Sequence, residues 1–127
     1  MVEDHATNQL IVKSMLRDLP IEITVANNGL EGFEAYEKGV FDLVLMDIQM
    51  PIMDGMECTE KIRHYEESTK KMRCPIMALT ANVFTEDHEK FKRSGLDRIL
   101  TKPVKKHTLI NAINKILLES QSKLSPR

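Results

Sequence analysis

An aspartate at the end of a hydrophobic run is the clearest candidate for chemistry in this chain. Asp47 follows the apolar residues 43–46, and a turn containing Pro51 and Gly55 comes directly after it. Open α/β sheets place their reactive groups at the carboxyl ends of such strands, next to a turn. Asp47 is therefore our candidate nucleophile.

Three other predicted strands also end in residues that can do chemistry. These are the acidic pair Glu3 and Asp4, the hydroxyl of Thr80 and the amine of Lys102. A parallel sheet brings the carboxyl ends of its strands to one edge, where three carboxylates repel one another unless a cation neutralises them. Hard oxygen ligands with open positions suit Mg²⁺, which also binds phosphate. A carboxylate nucleophile, Mg²⁺, a lysine and a hydroxyl are a sufficient set for phosphoryl transfer.

Helical and strand patterns alternate along the chain and position these residues. Helix 1 has apolar residues at helical spacing and ends before Pro20, while the fully apolar run before Asp47 is typical of a strand covered on both faces. In chain order we predict helix 1 over residues 6–18, strand 2 over 21–26, helix 2 over 30–39, strand 3 over 43–47, helix 3 over 55–65 with Asp54 as its cap, strand 4 over 76–80, helix 4 over 85–94, strand 5 over 99–101 and helix 5 over 109–117. This alternation predicts an α/β fold with a parallel sheet and helices on both faces.

Length and composition restrict the class of protein. The 127 residues, 42% of them hydrophobic, suit one domain, which we place at residues 1–119 with a frayed tail at 120–127. A net charge of -1 without a basic run argues against direct binding to nucleic acid. Cys58 and Cys74 stand outside any ligand spacing, and no apolar stretch is long enough to span a membrane. We expect a cytoplasmic domain without membrane contact of its own. This expectation is compatible with a membrane anchor elsewhere in the parent protein.

Four separated signatures resemble those of the response regulator receiver domain, the CheY-like family, and together they cover essentially the whole chain. They lie at residues 2–4, 45–55, 78–82 and 101–103, in the family's order. The second and third are most similar to receivers fused to hybrid sensor histidine kinases. The resemblance implies a flavodoxin-like, doubly wound, five-stranded parallel sheet with strand order 2-1-3-4-5. It also implies a histidine kinase or a histidine phosphotransfer domain as the partner.

The resemblance assigns a role to each candidate residue. Asp47 accepts a phosphoryl group from phosphohistidine, Lys102 pairs with the phosphoryl oxygens, and Thr80 donates a hydrogen bond that draws its loop inward as a switch. The implied cofactor is Mg²⁺ or Mn²⁺, and its implied ligands are Asp4, Asp47, the backbone carbonyl of Gln49 and, through water, Glu3. By this likeness the domain catalyses its own phosphorylation and dephosphorylation.

Further assignments come from the same resemblance. Gln49 and Asn82 occupy positions that tune how fast the acyl phosphate hydrolyses, and the peptide bond between Lys102 and Pro103 is expected to be cis. The sequence leaves open whether copies of the domain dimerise through the face formed by strand 4, helix 4 and strand 5.

Two features depart from the family pattern. Ile99 stands three residues before Lys102, where receivers usually carry an aromatic residue, and this puts the usual coupling of Thr80 to an aromatic rotamer in question. Only Met1 and Val2 precede the acidic pair, so strand 1, the strand that ends at Glu3 and Asp4, is truncated. The absent core side chains correspond to roughly 3–9 kcal/mol, against a typical domain stability of about 5–15 kcal/mol. We therefore expect the chain to be a piece of a longer parent.

Three other functions compete with this interpretation. A binding-only pseudo-receiver would dock a kinase without accepting phosphate, and the intact set of polar residues argues against it. A Mg²⁺ phosphatase of the aspartyl-phosphate type needs a second aspartate two residues after the nucleophile, where this chain has Gln49. A flavodoxin-like flavin binder would place its flavin phosphate against the negative charge of Glu3 and Asp4.

Overall fold

The computed structural model describes residues 1–48, 53–81, 89 and 93–124. Within these ranges the chain forms the helices α1 (Ala6–Met15), α2 (Gly29–Lys38), α3 (Gly55–Thr69) and α4 (Lys106–Leu124), and the strands β1 (Val44–Asp47), β2 (Ile76–Thr80) and β3 (Arg98–Thr101). The three strands are the predicted strands 3, 4 and 5. They lie side by side in the order β1-β2-β3, and both pairings are parallel.

Val2 extends the sheet beyond β1. It forms parallel bridges with Met46 on one side and Ala26 on the other. Its N–H donates to the carbonyl of Leu45 at 2.8 Å, and its own carbonyl accepts from the N–H of Asp47 at 3.0 Å. The order of segments across the sheet is therefore the predicted 2-1-3-4-5, and the flavodoxin-like α/β class with a shortened first strand is confirmed.

The predicted strand over residues 21–26 is wrong for most of its length, because only Ala26 forms a strand bridge. The physical reason is the brevity of the first segment. The Met1 nitrogen donates to the carbonyl of Thr24 at 2.8 Å, and the Met1 carbonyl accepts from Ala26 at 2.9 Å. Within the part of the chain that the structure describes, no strand continues beside residues 21–23. A groove of about 410 Å³ lies there instead, between α1, α4 and the chain that leads into β1.

Apolar side chains cover both faces of the sheet. Every residue of β1 and β2 is buried, as expected for central strands between two helical layers. One core lies under α2 and α3 and includes Tyr36 and Ile62. The other lies under α1 and α4 and includes Val12 and Leu109. Packing on both faces fixes the strands, and with them the polar residues at their carboxyl ends.

The first helix is shorter than predicted. It ends at Met15 rather than at residue 18. The N–H of Arg17 bonds to the carbonyl of Ser14 at 3.4 Å, three residues back, so the chain tightens before Pro20 instead of continuing as an α-helix.

The last helix is longer than predicted at both ends. α4 begins at Lys106 and reaches Leu124, five residues into the segment expected to fray, because extending a helix needs only local hydrogen bonds.

The domain boundary at residue 119 stays a prediction. The predicted helix over residues 85–94 falls mostly outside the described residues, and so does the dimer face that would include it. Among the described residues, none of the helices combines the length and apolar character that crossing a membrane requires.

Candidate active site

The carboxyl ends of the parallel strands meet at one edge of the sheet, as the sequence predicted. Asp47 ends β1 opposite Leu79, and Thr80 ends β2 opposite Thr101. Asp47 is 2% exposed and Thr80 is fully buried. Lys102 follows β3 directly, and its N–H donates to the carbonyl of Thr80 at 2.8 Å.

The acidic pair reaches the same edge through the backbone of the first segment. The carbonyl of Val2 accepts from the N–H of Asp47 at 3.0 Å, and the N–H of Glu3 donates to the carbonyl of Ala26 at 3.0 Å. These bonds hold Glu3 between the ends of two neighbouring segments. Its carboxylate is buried, with a side chain only 4% exposed.

The amine of Lys102 lies between two buried carboxylates. Its Nζ is 3.1 Å from Oδ1 of Asp47 and 3.6 Å from Oε1 of Glu3. The lysine side chain is 29% exposed, so its charge remains accessible from solvent. The peptide bond from Lys102 to Pro103 is cis, as the family resemblance implied. Three of the predicted site residues are thus brought into direct contact.

Burial and like charge both act on Glu3. Loss of solvent raises the pKa of the Glu3 carboxyl above its ordinary value, and the negative charge of Asp47 raises it further. Two contacts work in the opposite direction. The backbone N–H of His5 donates to Oε2 of Glu3 at 3.0 Å, and Lys102 supplies positive charge. The site therefore concentrates negative charge that a cation would relieve.

His5 forms a cluster with Glu3 and Asp4, which we call the acidic cluster. The sequence favours a surface or partner-contact role for this histidine next to Asp4, and its side chain is indeed exposed. Its Nδ1 lies 3.0 Å from Oδ1 of Asp4 and 3.6 Å from Oε2 of Glu3. One ligand atom from each of these three residues lies within 4.8 Å of the others, a spacing that a metal ion can bridge. The local sequence pattern did not predict that His5 contacts both carboxylates, because this contact depends on the rotamer of the imidazole.

Gln9 is a second residue that sequence reasoning missed. Its Nε2 donates to the backbone carbonyl of Glu3 at 2.6 Å and to Oδ1 of Asn27 at 2.9 Å. The side chain thus ties α1 to the acidic loop and to the turn before α2. The available signal was a polar residue one helical turn after His5, on the side of α1 that faces the strand ends.

The turn after β1 is held by a glycine and a cap. The N–H of Gly55 donates to the carbonyl of Ile48 at 2.9 Å, and a Cβ at Gly55 would collide with the carbonyl of Asp47. Asp54 caps α3, as predicted, by accepting from the N–H of Glu57 at 2.9 Å. The backbone beside the candidate nucleophile is therefore closely packed.

The remaining predicted site residues stand as follows. Ile99 lies on β3 opposite Ala78 and packs, partly buried, against the core under α2 and α3. Gln49 and Asn82 lie outside the described residues. Among the described residues, side-chain oxygens of Glu3 and Asp4 lie within 4.8 Å of each other, and Asp47 is linked to Glu3 through Lys102, which contacts both. These carboxylate oxygens are hard ligands of the kind that Mg²⁺ and Mn²⁺ prefer.

Comparison with known proteins gives a family match over most of the chain. The family model described as the response regulator receiver domain matches residues 1–114. The chain is 38% identical over 114 residues to the sensor protein GacS of Pseudomonas syringae pv. syringae. It is 37% identical over 119 residues to hybrid signal transduction histidine kinase I of Dictyostelium discoideum. Each alignment covers 90% of this chain but only 13% and 7% of those proteins, so the chain spans a small part of their length.

Two solved structures resemble the chain over most of its length. One is the receiver domain of sensor histidine kinase PA1611 from Pseudomonas aeruginosa PAO1, with a magnesium ion coordinated in its active site cleft. It superposes with a TM-score of 0.81 at 34% identity, covering 91% of this chain and 93% of that one. The other is the receiver domain of the response regulator Ssk1 from Saccharomyces cerevisiae, in complex with the histidine phosphotransfer protein Ypd1. Its TM-score is 0.81 at 36% identity, covering 88% of this chain and 82% of that one.

Proposed function

Because this chain belongs to the response regulator receiver domain family and is a receiver of the two-component phosphorelay, we propose that Asp47 is the residue that accepts the phosphoryl group. The observation that carries the proposal is the 3.1 Å contact between Oδ1 of Asp47 and Nζ of Lys102 at the end of the sheet. The amine offsets the charge of a buried carboxylate and stands where the oxygens of an arriving phosphoryl group need a cation.

The proposed reaction transfers a phosphoryl group from a phosphohistidine on a histidine kinase or a phosphotransfer domain. A carboxylate oxygen of Asp47 forms a bond to phosphorus while the bond from phosphorus to the donor nitrogen breaks. The leaving imidazole keeps the electron pair of that bond. Lys102 pairs with the phosphoryl oxygens, and the hydroxyl of Thr80 donates a hydrogen bond to them. These are positioning and charge-stabilising roles, which supply most of the catalysis in phosphoryl transfer.

The carboxylates of Glu3, Asp4 and Asp47 form the proposed cation site of the domain. Asp4 and Asp47 would bind Mg²⁺ or Mn²⁺ directly, Glu3 through water, and Gln49 through its backbone carbonyl. When bound, the ion supplies the positive charge that allows a carboxylate and a phosphoryl group to approach each other. The magnesium ion in the PA1611 receiver domain supports this assignment.

Thr80 and Ile99 form the proposed route from phosphorylation to output. Thr80 ends the fully buried strand β2, so inward movement of its hydroxyl changes the packing at the start of the following loop. Ile99 packs on the neighbouring strand where receivers usually carry an aromatic ring. We assign the switch to a change in the packing of this aliphatic side chain. Gln49 and Asn82 set the lifetime of the acyl phosphate in the same proposal.

Acetyl phosphate with Mg²⁺ tests the assignment of Asp47. Intact-protein mass spectrometry is expected to show a gain of about 80 Da, the mass of one phosphoryl group, which an Asp47→Asn variant lacks. Asp42→Asn, an exposed aspartate at the other end of the same apolar run, is the matched control and is expected to gain the mass normally. If neither a small donor nor a phosphorylated phosphotransfer protein labels the wild-type chain, the binding-only alternative replaces this proposal.

A further inference from the structure

His5 supplies a nitrogen donor to a site otherwise built from oxygens. We propose that its Nδ1 is a metal ligand, and that the cluster of Glu3, Asp4 and His5 therefore binds first-row transition ions such as Co²⁺ and Zn²⁺ more tightly than Mg²⁺. The inference rests on the proposed function only in sharing Glu3 and Asp4 with the proposed Mg²⁺ site.

The distances within the cluster match those between neighbouring ligands of one ion. Two ligands at about 2.1 Å from a metal lie about 3.0 Å apart at a right angle and about 3.4 Å apart at a tetrahedral angle. Nδ1 of His5 is 3.0 Å from Oδ1 of Asp4 and 3.6 Å from Oε2 of Glu3. A single ion can therefore contact all three residues after small side-chain rotations.

The side chain of His5 does not cap α1, although the residue stands at the N-cap position. His5 is the N-cap residue of α1, a place where side chains usually accept a hydrogen bond from the first turn. Its side chain makes no such bond, and Nδ1 is instead hydrogen-bonded to Oδ1 of Asp4, so that a metal ion between the two would take the place of the proton they share. The ring is 68% exposed, so an ion can enter from solvent and keep water in its remaining positions.

The chemistry of the ligand atoms determines which metal ions bind more tightly. Mg²⁺ prefers oxygen ligands and near-octahedral geometry, whereas imidazole suits cobalt, nickel, copper and zinc. Adding one imidazole to two carboxylates raises the affinity for the second group of ions and leaves that for Mg²⁺ nearly unchanged. A transition ion bound by His5 and Asp4 would then compete with Mg²⁺ for Asp4.

Titration calorimetry and the visible absorption of Co²⁺ test the proposal on protein purified without a histidine tag. His5→Ala is expected to weaken Co²⁺ binding about tenfold or more, to change the absorption bands of the bound ion, and to leave Mg²⁺ affinity within about twofold. His5→Asn, which keeps a side chain suited to an N-cap, is expected to behave in the same way. His64→Ala, on α3, is the control histidine and is expected to change neither affinity.

Two results would overturn the inference. One is Co²⁺ binding with equal affinity and spectrum in the wild-type and both His5 variants. The other is an equal loss of Co²⁺ and Mg²⁺ affinity, since this would mean that His5 only shapes the acidic loop. Neither result affects the proposed phosphoacceptor, whose own failure would appear as undiminished labelling of the Asp47→Asn variant.

Discussion

Nζ of Lys102 lies 3.1 Å from Oδ1 of Asp47, although 55 positions separate the two residues in the chain. Parallel pairing of β1, β2 and β3 creates this contact, because it aligns the carboxyl ends of strands that are distant in sequence. The same amine also lies within 3.6 Å of Glu3. One lysine therefore counters two buried negative charges, and the stability of the domain is coupled to the residues proposed for its chemistry.

Removing the amine is expected to destabilise the domain. Lys102→Ala leaves two buried carboxylates without their shared cation, and we expect a loss of about 1–2 kcal/mol, below the value for a fully buried pair because the lysine is partly solvated. Urea denaturation measures the change. The control is Lys106→Ala, whose ion pair with Asp18 is exposed and 3.8 Å long, and for which we expect less than about 0.5 kcal/mol. Equal losses in the two variants would contradict the coupling.

Neutralising Glu3 is expected to stabilise the protein in the absence of metal. Because the pKa of Glu3 is raised by folding, the folded state holds a proton that the unfolded state releases above the ordinary value of 4.5. The contribution of Glu3 to the free energy of unfolding therefore falls as the pH rises from 4.5 through the raised pKa of the folded state. Glu3→Gln removes the penalty, and we expect a gain of about 1 kcal/mol at pH 7 that vanishes below pH 4.

Metal binding is expected to reduce the difference in stability between the Glu3→Gln variant and the wild type. Mg²⁺ is expected to raise the melting temperature of the wild-type chain more than that of Glu3→Gln, since the variant has less negative charge to neutralise. Thermal melts at several pH values, with and without Mg²⁺, measure both effects. A variant less stable than the wild type at pH 7 without metal would show that the contacts of Glu3 with His5 and Lys102 outweigh its burial.

Filling the space at Gly55 is expected to disturb the nucleophile's backbone. Gly55→Ala places a methyl group against the carbonyl of Asp47 and the Cα of Ile48, both of them backbone atoms that cannot rotate away. We expect a loss of about 2–3 kcal/mol and slower phosphorylation by acetyl phosphate. Gly39→Ala is the control, because its Cβ would meet the ring edge of Phe41, a side chain that can move. Wild-type stability in the Gly55 variant would refute the close packing of this turn.

Acetylating the amino group of Met1 is expected to stabilise the fold below neutral pH. Burial lowers the pKa of this ammonium from 8.0 to about 6, so the unfolded state binds more protons between those values and stability rises with pH across them. Acetylation keeps the N–H that donates to Thr24 but removes the charge. We expect a gain on the order of 1 kcal/mol at pH 5.5 and none at pH 9.

The control for this prediction is the unmodified protein measured across the same pH range. A gain that is the same at pH 5.5 and pH 9 would assign the effect to new apolar contacts rather than to the lost charge.

The sequence determined the central strands and the identity of the candidate nucleophile. The apolar runs before Asp47 and Thr80 predicted strands buried on both faces, and every residue of β1 and β2 is buried. Such runs are informative because a strand between two helical layers cannot expose either face. Asp54 was predictable as the cap of α3 because capping is also a local interaction. The capping side chain bonds to the backbone N–H three residues ahead.

Tertiary structure decided the pairing of residues 21–26 and the roles of His5 and Gln9. The β-branched pattern of that segment predicted a strand. A strand needs a paired neighbour, and the residues before Glu3 bond only to Thr24 and Ala26. The imidazole of His5 and the amide of Gln9 reach Glu3, Asp4 and Asn27 through side-chain rotamers that no spacing rule specifies. Local patterns fix which residues lie at the end of each strand, whereas contacts between those ends depend on how the whole sheet assembles.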